Sequence, residues 1–382
     1  MNKKQQCRME TGYYIIELIR AVLKEEEKIP NLPKGITPKD IYYMAKIHNV
    51  DCIVYRGLSE FLEKNPDEYA QKWKQRNLQC AMQGVVQLAE RERLYQMFTN
   101  AGIRILPLKG CLMKETYPKQ EHRQMADLDI LIDLENAARV KEMMIKSGYE
   151  DESEHAAKHH DEYIKKPWCN VEIHKSMLPK KHQNAQKYDN IWERAYEEQP
   201  GSGIYRLSWD DFYIYMIDHF AKHFFLSGSG IRSVMDIFVF LEKKGSELHP
   251  EYLEEQFKKR DLWEFKETVE QIAKAWFEEG NVKVFEETEA RIILSGAYGT
   301  VELHQMIHME NLAQKYKSKR LARLAHMGEM VFLEYDGMCS LYPVLKKHAY
   351  LLPFCWVHRI FKVIFKKQNR IQEELEKLNQ FK

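Results

Sequence analysis

The chain has 382 residues, 44% of them hydrophobic and 30% charged, with a formal net charge of +1. That length predicts two or three compact units with a full hydrophobic core, so neither disulfides nor a structural metal are needed for stability. The near-zero charge excludes a global field for bulk nucleic-acid binding, and no apolar run approaches the ~18 residues of a membrane-spanning helix.

The first hundred residues read as helical. ETGYYIIELIRAVLKEE places Tyr14, Ile15, Leu18, Ile19 and Val22 at helical spacing. Two prolines and a glycine break the pattern in NLPKGITPKD, where Thr37 is the expected N-cap and Pro38 the first helical residue. From Tyr69 to Asn100 the chain has no proline, which predicts one long helix or two abutting ones ending near Gly102. The pattern then changes. GIRILPL (102–108) is a short apolar strand, ADLDILID (126–133) alternates at period two, and NAARVKEMMIKSG (136–148) is an amphipathic helix closed by Gly148. HDEYIKK and NVEIHKSM flank Pro167-Trp168-Cys169 and read as two strands joined by a turn. This is a small mixed α/β domain. Beyond Gly201-Ser202-Gly203 the chain is helical again, in WDDFYIYMIDHFAKHFFL, in IRSVMDIFVFLEKK and onward to about residue 335.

The seven cysteines (Cys7, Cys52, Cys80, Cys111, Cys169, Cys339, Cys355) contain no C-x-x-C pair, which predicts reduced thiols rather than a disulfide framework or zinc site. MNKKQQCRMETGYY has no apolar stretch behind its lysines and reads as no signal peptide. The expected location is the cytoplasm.

The informative stretch is ILPLKGCLMKETYPKQEHRQMADLDILID. Alternation along its last strand puts Asp127 and Asp129 on one face, where two carboxylates repel each other unless a cation lies between them. Hard oxygen ligands on a rigid strand suit Mg²⁺. Upstream, Gly110 admits a phosphate close to the backbone, and the amides of Cys111 and Leu112 are expected to point at it. Glu172 and His174 share a face of VEIHKSM, so Glu172 can join the pair as the third acid that two-metal phosphoryl transfer needs.

Together the residues Leu108-Lys109-Gly110, Tyr117-Pro118, Arg123, Asp127, Asp129, Gly148-Tyr149, Glu172 and His174 resemble the pattern of the uncharacterised nucleotidyltransferase family, within the polymerase-β-like superfamily. His219, His223, Arg232 and Asp236 match its helical half. The resemblance implies an α+β fold: a small mixed, palm-like sheet embedded between helical N- and C-terminal regions. The resemblance covers roughly residues 85–330, and with the patterns on either side the expected organisation is a helical region (1–84), the nucleotidyltransferase domain (85–200), a helical domain closing the cleft (201–335) and a basic amphipathic segment (336–382). It further implies two Mg²⁺ ions on Asp127, Asp129 and Glu172, with Lys109, Gly110, Arg123, His174, His219 and His223 towards the nucleotide. The activity implied is transfer of a nucleoside monophosphate from an NTP to an unidentified acceptor, with release of pyrophosphate. Lys109-Gly110-Cys111 stands where the superfamily usually has Gly-Ser, so an inactive nucleotide-binding protein and a phosphotransferase remain alternatives.

Other features carry plainer readings. Arg232 and Asp236 are four residues apart and read as an intrahelical ion pair. His219 and His223 face the cleft or bond within the helices, since no H-E-x-x-H pattern or neighbouring cysteine supports zinc. His155, His159 and His160 read as surface residues. Between Gly337 and Gln372 there is no Asp or Glu, and residues 345–370 interleave lysines and arginines with apolar side chains. That segment suits either a helix packed on the body with a solvated basic face or contact with a membrane surface or acidic partner.

Overall fold

The computed structural model describes residues 3–153, 159–280, 283–297, 299, 309, 312–313, 315–333 and 335–366. Contacts divide the chain into two units, Met1–Thr300 and Val301–Lys382. His155 and residues 367–370 of the basic segment lie outside the described residues.

In the first unit the helical spacing of α1 (Lys3–Leu23) buries Ile15, Ile16, Leu18 and Ile19 completely. α2 (Pro38–Ile47) opens on the expected cap: the Thr37 hydroxyl accepts from the Asp40 amide, and the Asp40 carboxylate accepts from the Thr37 amide. α3 (Asp51–Lys64) packs on α1. α4 (Glu68–Asn100) is one uninterrupted helix of 33 residues, about 50 Å long at the usual rise. It starts where the Asp67 carboxylate accepts from the Ala70 amide, and Gly102 (φ +72°) turns the chain away behind it.

The sheet follows, in the order β1 (Ile105–Pro107), β2 (Leu128–Ile132), β5 (Cys169–His174), β4 (His160–Lys165), β3 (Glu150–Asp151). Only the β2–β5 pairing is parallel, and it sets Asp129 opposite Glu172. α5 (Gly110–Thr116) lies between β1 and β2, and α6 (Ala137–Lys146) between β2 and β3. Period-two alternation divides the strands between two cores. Leu128, Ile130, Ile132, Val171 and Ile173 pack with Leu94 and Phe98 of α4 and with Val140 and Met144 of α6. Leu131, Leu106 and Leu108 join the core of the helices instead. Asp129 and Glu172, one position out of step with the first set, therefore project to the helical side.

That side is covered by α8 (Trp209–Leu226) and α9 (Ile231–Lys244), reached through the short α7 (Ile191–Arg194) and a two-stranded ladder of β6 (Tyr196–Glu197) and β7 (Tyr205–Arg206). α10 (Pro250–Lys259), α11 (Trp263–Phe277) and α12 (Glu286–Ser295) complete the unit, with α11 packed on both α9 and α1. The fold is α+β, a five-stranded mixed sheet among helices.

The second unit carries helices Lys319–Val331, Tyr335–Leu341 and Leu352–Lys366 around a small core of Met338, Cys339, Leu345 and Cys355. Trp356 Nε1 donates to the Leu333 carbonyl, whereas Phe354 and Val357 are exposed. No helix among the described residues is long and apolar enough to cross a membrane.

Candidate active site

The site starts from a strained turn. Lys109 joins β1 to α5 with φ +41° and ψ −116°, a conformation that costs a non-glycine residue on the order of 1–3 kcal/mol. The turn aims the lysine side chain across the sheet: Nζ is 2.6 Å from Asp129 Oδ1 and 3.5 Å from Glu172 Oε2. The same two carboxylates meet His174, whose Nε2 lies 2.9 Å from Asp129 Oδ1 and 3.1 Å from Glu172 Oε2. With two carboxylates on that nitrogen, Nε2 carries the proton. Burial pushes the Glu172 carboxyl up, but the His174 hydrogen bond and the Lys109 charge outweigh it and hold the group well below the usual carboxylate range. Burial also opposes the Lys109 charge, yet Asp129 above all keeps its pKa well above normal.

Asp127 lines the same cleft, just ahead of β2. Its carboxyl is pushed up to about 7, chiefly by burial, then by the negative charges of Asp129 and Glu172. The expected shared face thus holds, and so does the expected repulsion. Asp129, Glu172 and His174 each offer a ligand atom within 4.8 Å of the others. Asp129 and Glu172, with Asp127 lining the same cleft, are oxygen donors of the kind a divalent cation takes.

Gly110 is required by a neighbour other than the expected one. A Cβ there would stand 2.8 Å from Arg123 Nη1 and 3.3 Å from Met125 Cγ. The amides of Cys111 and Leu112 do not point at an anion; they donate to the carbonyls of Leu108 and Lys109 at 3.1 and 3.2 Å, because the tight turn closes on itself. Arg123 is buried rather than free in a loop. Its Nε and Nη2 donate to the two Asp236 oxygens at 2.8 and 2.9 Å, and the Tyr117 hydroxyl donates to Asp236 Oδ1 at 2.7 Å. Asp236 is therefore not the partner of Arg232, and the expected intrahelical pair gives way to one between the sheet-side loop and α9.

Opposite the acids, α8 presents Tyr215, His219, Lys222 and His223 on one face at helical spacing, and α9 presents Arg232, Ser233 and Asp236. His219 and His223 do face the cleft, with their Nε2 atoms 3.1 Å apart. Burial lowers both, helped by Lys109 for His219 and by Lys222 for His223, which falls to about 3; both rings are neutral at pH 7. Neighbouring Asp218 turns away to accept from Asn184 and Tyr188 at 3.2 and 3.1 Å. Lys222 and Arg232 make no hydrogen bond or ion pair among the described residues. Burial and then the Lys109 charge lower Lys222 to about 8. The cleft they share with the acids holds about 290 Å³. One wall is acidic and the other carries two uncommitted cations.

The model of the uncharacterised nucleotidyltransferase family matches residues 34–278, well over half of the chain. The chain belongs to this family. The match runs from before α2 to just past α11, and Ala297 is the one residue lining this cleft beyond it. The resemblance read from the sequence is thereby borne out. No curated protein and no solved structure matched the chain.

Sequence reasoning did not place Lys222, Arg232, His159 or His160 in the cleft. Lys222 shares the α8 stripe with His219 and His223, at a helical spacing that is visible in the sequence. Arg232 was assigned to Asp236. His159 and His160 are buried, not surface residues, because they precede and open β4 beside β5, where His160 pairs with His174. The H-x-E run from His160 to Glu162 was their only local signal.

Proposed function

We propose that the protein transfers a nucleoside monophosphate from an NTP to an acceptor hydroxyl or phosphate, releasing pyrophosphate. The observation that carries this reading is the polarity of the cleft: Asp127, Asp129 and Glu172 on the sheet face the uncommitted cations Lys222 and Arg232 on the helices. Asp127, Asp129 and Glu172 would hold two Mg²⁺ ions. When bound, Mg²⁺ supplies charge stabilisation at the transferring phosphorus and lowers the pKa of a coordinated hydroxyl. Lys222 and Arg232 bind the phosphate oxygens, Arg232 through two parallel donors and Lys222 as a point charge. His219 and His223 offer neutral rings to the nucleotide. Arg123, held by Asp236, acts by fixing the loop ahead of Asp127. Glu172 takes a hydrogen bond from the acceptor hydroxyl; a carboxylate held so far down is a weak base, so it orients the hydroxyl more than it removes the proton.

A second reading has one observation in its favour. The Lys109 ammonium sits between Asp129 and Glu172, where a cation is needed, and a chain that kept it there would bind a nucleotide without turnover. A phosphotransferase remains a third. The test is a screen of the four NTPs with Mg²⁺ for pyrophosphate and for ADP or its analogues, on the wild type and on Asp127→Asn. Pyrophosphate from the wild type alone supports transfer of the monophosphate. A diphosphate product supports the phosphotransferase, and Mg²⁺-dependent binding without products supports the silent protein. The free thiols of all seven cysteines suit our further proposal of a reducing, cytoplasmic setting.

A further inference from the structure

Beside the acid row stands a second cluster that phosphoryl transfer does not use. His159 and His160 at the start of β4 meet His174 of β5, with ring centroids 4.4, 5.7 and 5.2 Å apart. One nitrogen of each lies within 4.8 Å of the others. The hydrogen bonds fix which nitrogens are free. His174 Nε2 donates to Asp129 and Glu172, which leaves its Nδ1 as a lone pair, and that atom is buried without a partner. His160 Nε2 lies 3.2 Å from Glu162 Oε1 and donates to it, which leaves His160 Nδ1 as a lone pair as well. His159 Nε2 donates to His160 Nδ1 at 3.3 Å, so an ion bound between these two nitrogens takes the place of that shared proton, and His159 Nδ1 is buried without a partner.

A histidine that binds a metal typically donates its other ring N–H to a carboxylate, which sets the tautomer and raises the basicity of the ligand nitrogen. Two of these three rings already do so. Metal–nitrogen bonds of about 2.0–2.1 Å in a tetrahedral site place ligand nitrogens roughly 3.3 Å apart, close to the His159–His160 separation. Imidazole nitrogens select late first-row ions over Mg²⁺, which prefers oxygen. His159 and His160 also line the cleft, so an ion reaches them from solvent.

We propose that His159, His160 and His174 form a binding site for a borderline transition-metal ion such as Zn²⁺, distinct from the carboxylate site. The bound ion locks the His174 ring with Nε2–H on Asp129 and Glu172, so its occupancy fixes the positions of both acids. This proposal does not depend on the nucleotidyl-transfer reading, because its test uses no nucleotide.

The test titrates untagged protein with Zn²⁺ by calorimetry and with Co²⁺ by visible absorption, in a large excess of Mg²⁺. One ion per chain is expected, with the intense visible bands of tetrahedral Co²⁺. His159→Gln and His160→Gln, each checked for an unchanged far-ultraviolet spectrum, are expected to bind at least about tenfold more weakly, the lower bound for losing even an outer partner of a metal site. Asp127→Asn is expected to bind as the wild type does. Should both histidine variants misfold, long-range ¹H–¹⁵N spectra of the wild type decide: Zn²⁺ must shift the ring nitrogens of three histidines together. Absence of saturable binding, displacement by Mg²⁺, equal affinity in folded histidine variants, loss in Asp127→Asn, or unshifted ring nitrogens each overturns the proposal.

Discussion

Arg123 and Asp236 stand 113 positions apart in the chain and form a buried, two-point ion pair that ties the loop ahead of β2 to α9. The Tyr117 hydroxyl completes the clamp. Removing one partner strands the other charge in the interior, which typically costs about 3–5 kcal/mol. Arg123→Met and Asp236→Leu are each expected to lower stability by that order in urea denaturation. The double variant is expected to lose less than the sum of the two. Additive losses would show that the two side chains do not act as a pair.

Lys222 and Arg232 make no hydrogen bond or ion pair among the described residues. Lys222→Met and Arg232→Met are therefore expected to leave the melting temperature nearly unchanged and to weaken NTP binding by roughly 1–3 kcal/mol each. The Lys222 pKa, lowered to about 8, adds a pH signature. The ammonium is charged below that value, so NTP affinity is expected to fall as pH rises through about 8. In Lys222→Arg the fall should vanish, because a guanidinium stays charged. Calorimetric titration across pH checks both statements, and a wild-type affinity flat across pH 8 would count against Lys222 as a phosphate ligand.

Lys109 neutralises acids that otherwise repel one another. Lys109→Met is expected to lower stability in the presence of a chelator by about 1–3 kcal/mol, for a charged hydrogen bond lost, and the melting temperature with it. Mg²⁺ should then raise it by more than in the wild type, because an ion that binds only the folded state stabilises it. Lys109→Gly removes the ammonium and also relieves the backbone at φ +41°, so it is expected to be less destabilised than Lys109→Met. Equal melting curves for all three chains would leave Lys109 without a role in balancing the acids.

His48 bears on acid stability. Its Nδ1 accepts from the Ile231 amide and its Nε2 donates to the Ile293 carbonyl, both at 3.0 Å, so the neutral ring joins α2, α9 and α12. Burial lowers its pKa from 6.5 to about 3. The folded pKa lies below the unfolded one, so the unfolded state binds the extra proton. The contribution of this ring is complete above about pH 6.5 and is lost as pH falls towards 3, at a limiting slope of about 1.4 kcal/mol per pH unit. His48→Gln is expected to be less stable at pH 7 and to lose about one proton from the pH dependence between pH 6 and 4. An unchanged slope by urea denaturation would contradict the buried neutral ring.

Local signals carried much of the architecture. The Thr37 cap, the long helix up to Gly102, the alternation of ADLDILID and the pairing of Glu172 with His174 each depend on residues within a turn or a strand of one another. The placement of Asp127, Asp129 and Glu172 in one cleft was legible for that reason. What sequence reasoning missed depends on distance. Arg123 has a guanidinium that any acid could take, and only the packing of α9 against the sheet selects Asp236 over the nearer Arg232–Asp236 spacing. The burial of His159 and His160 follows from the position of β4 beside β5, which a single strand does not encode. β3, β6 and β7 are two residues each, too short for any period to show. The positive φ at Lys109 breaks the preference of its own residue type, and such exceptions are expected at functional sites.

The most direct test of nucleotidyl transfer follows the phosphorus. An NTP labelled at the α-phosphorus and the same NTP labelled at the γ-phosphorus are each incubated with Mg²⁺, the protein and a fractionated pool of candidate acceptors. The account predicts that α-label enters a new product while γ-label leaves as pyrophosphate, and that Asp129→Asn, still folded by its melting curve, transfers neither. Transfer of γ-label to the product, or undiminished α-label transfer by Asp129→Asn, would contradict it.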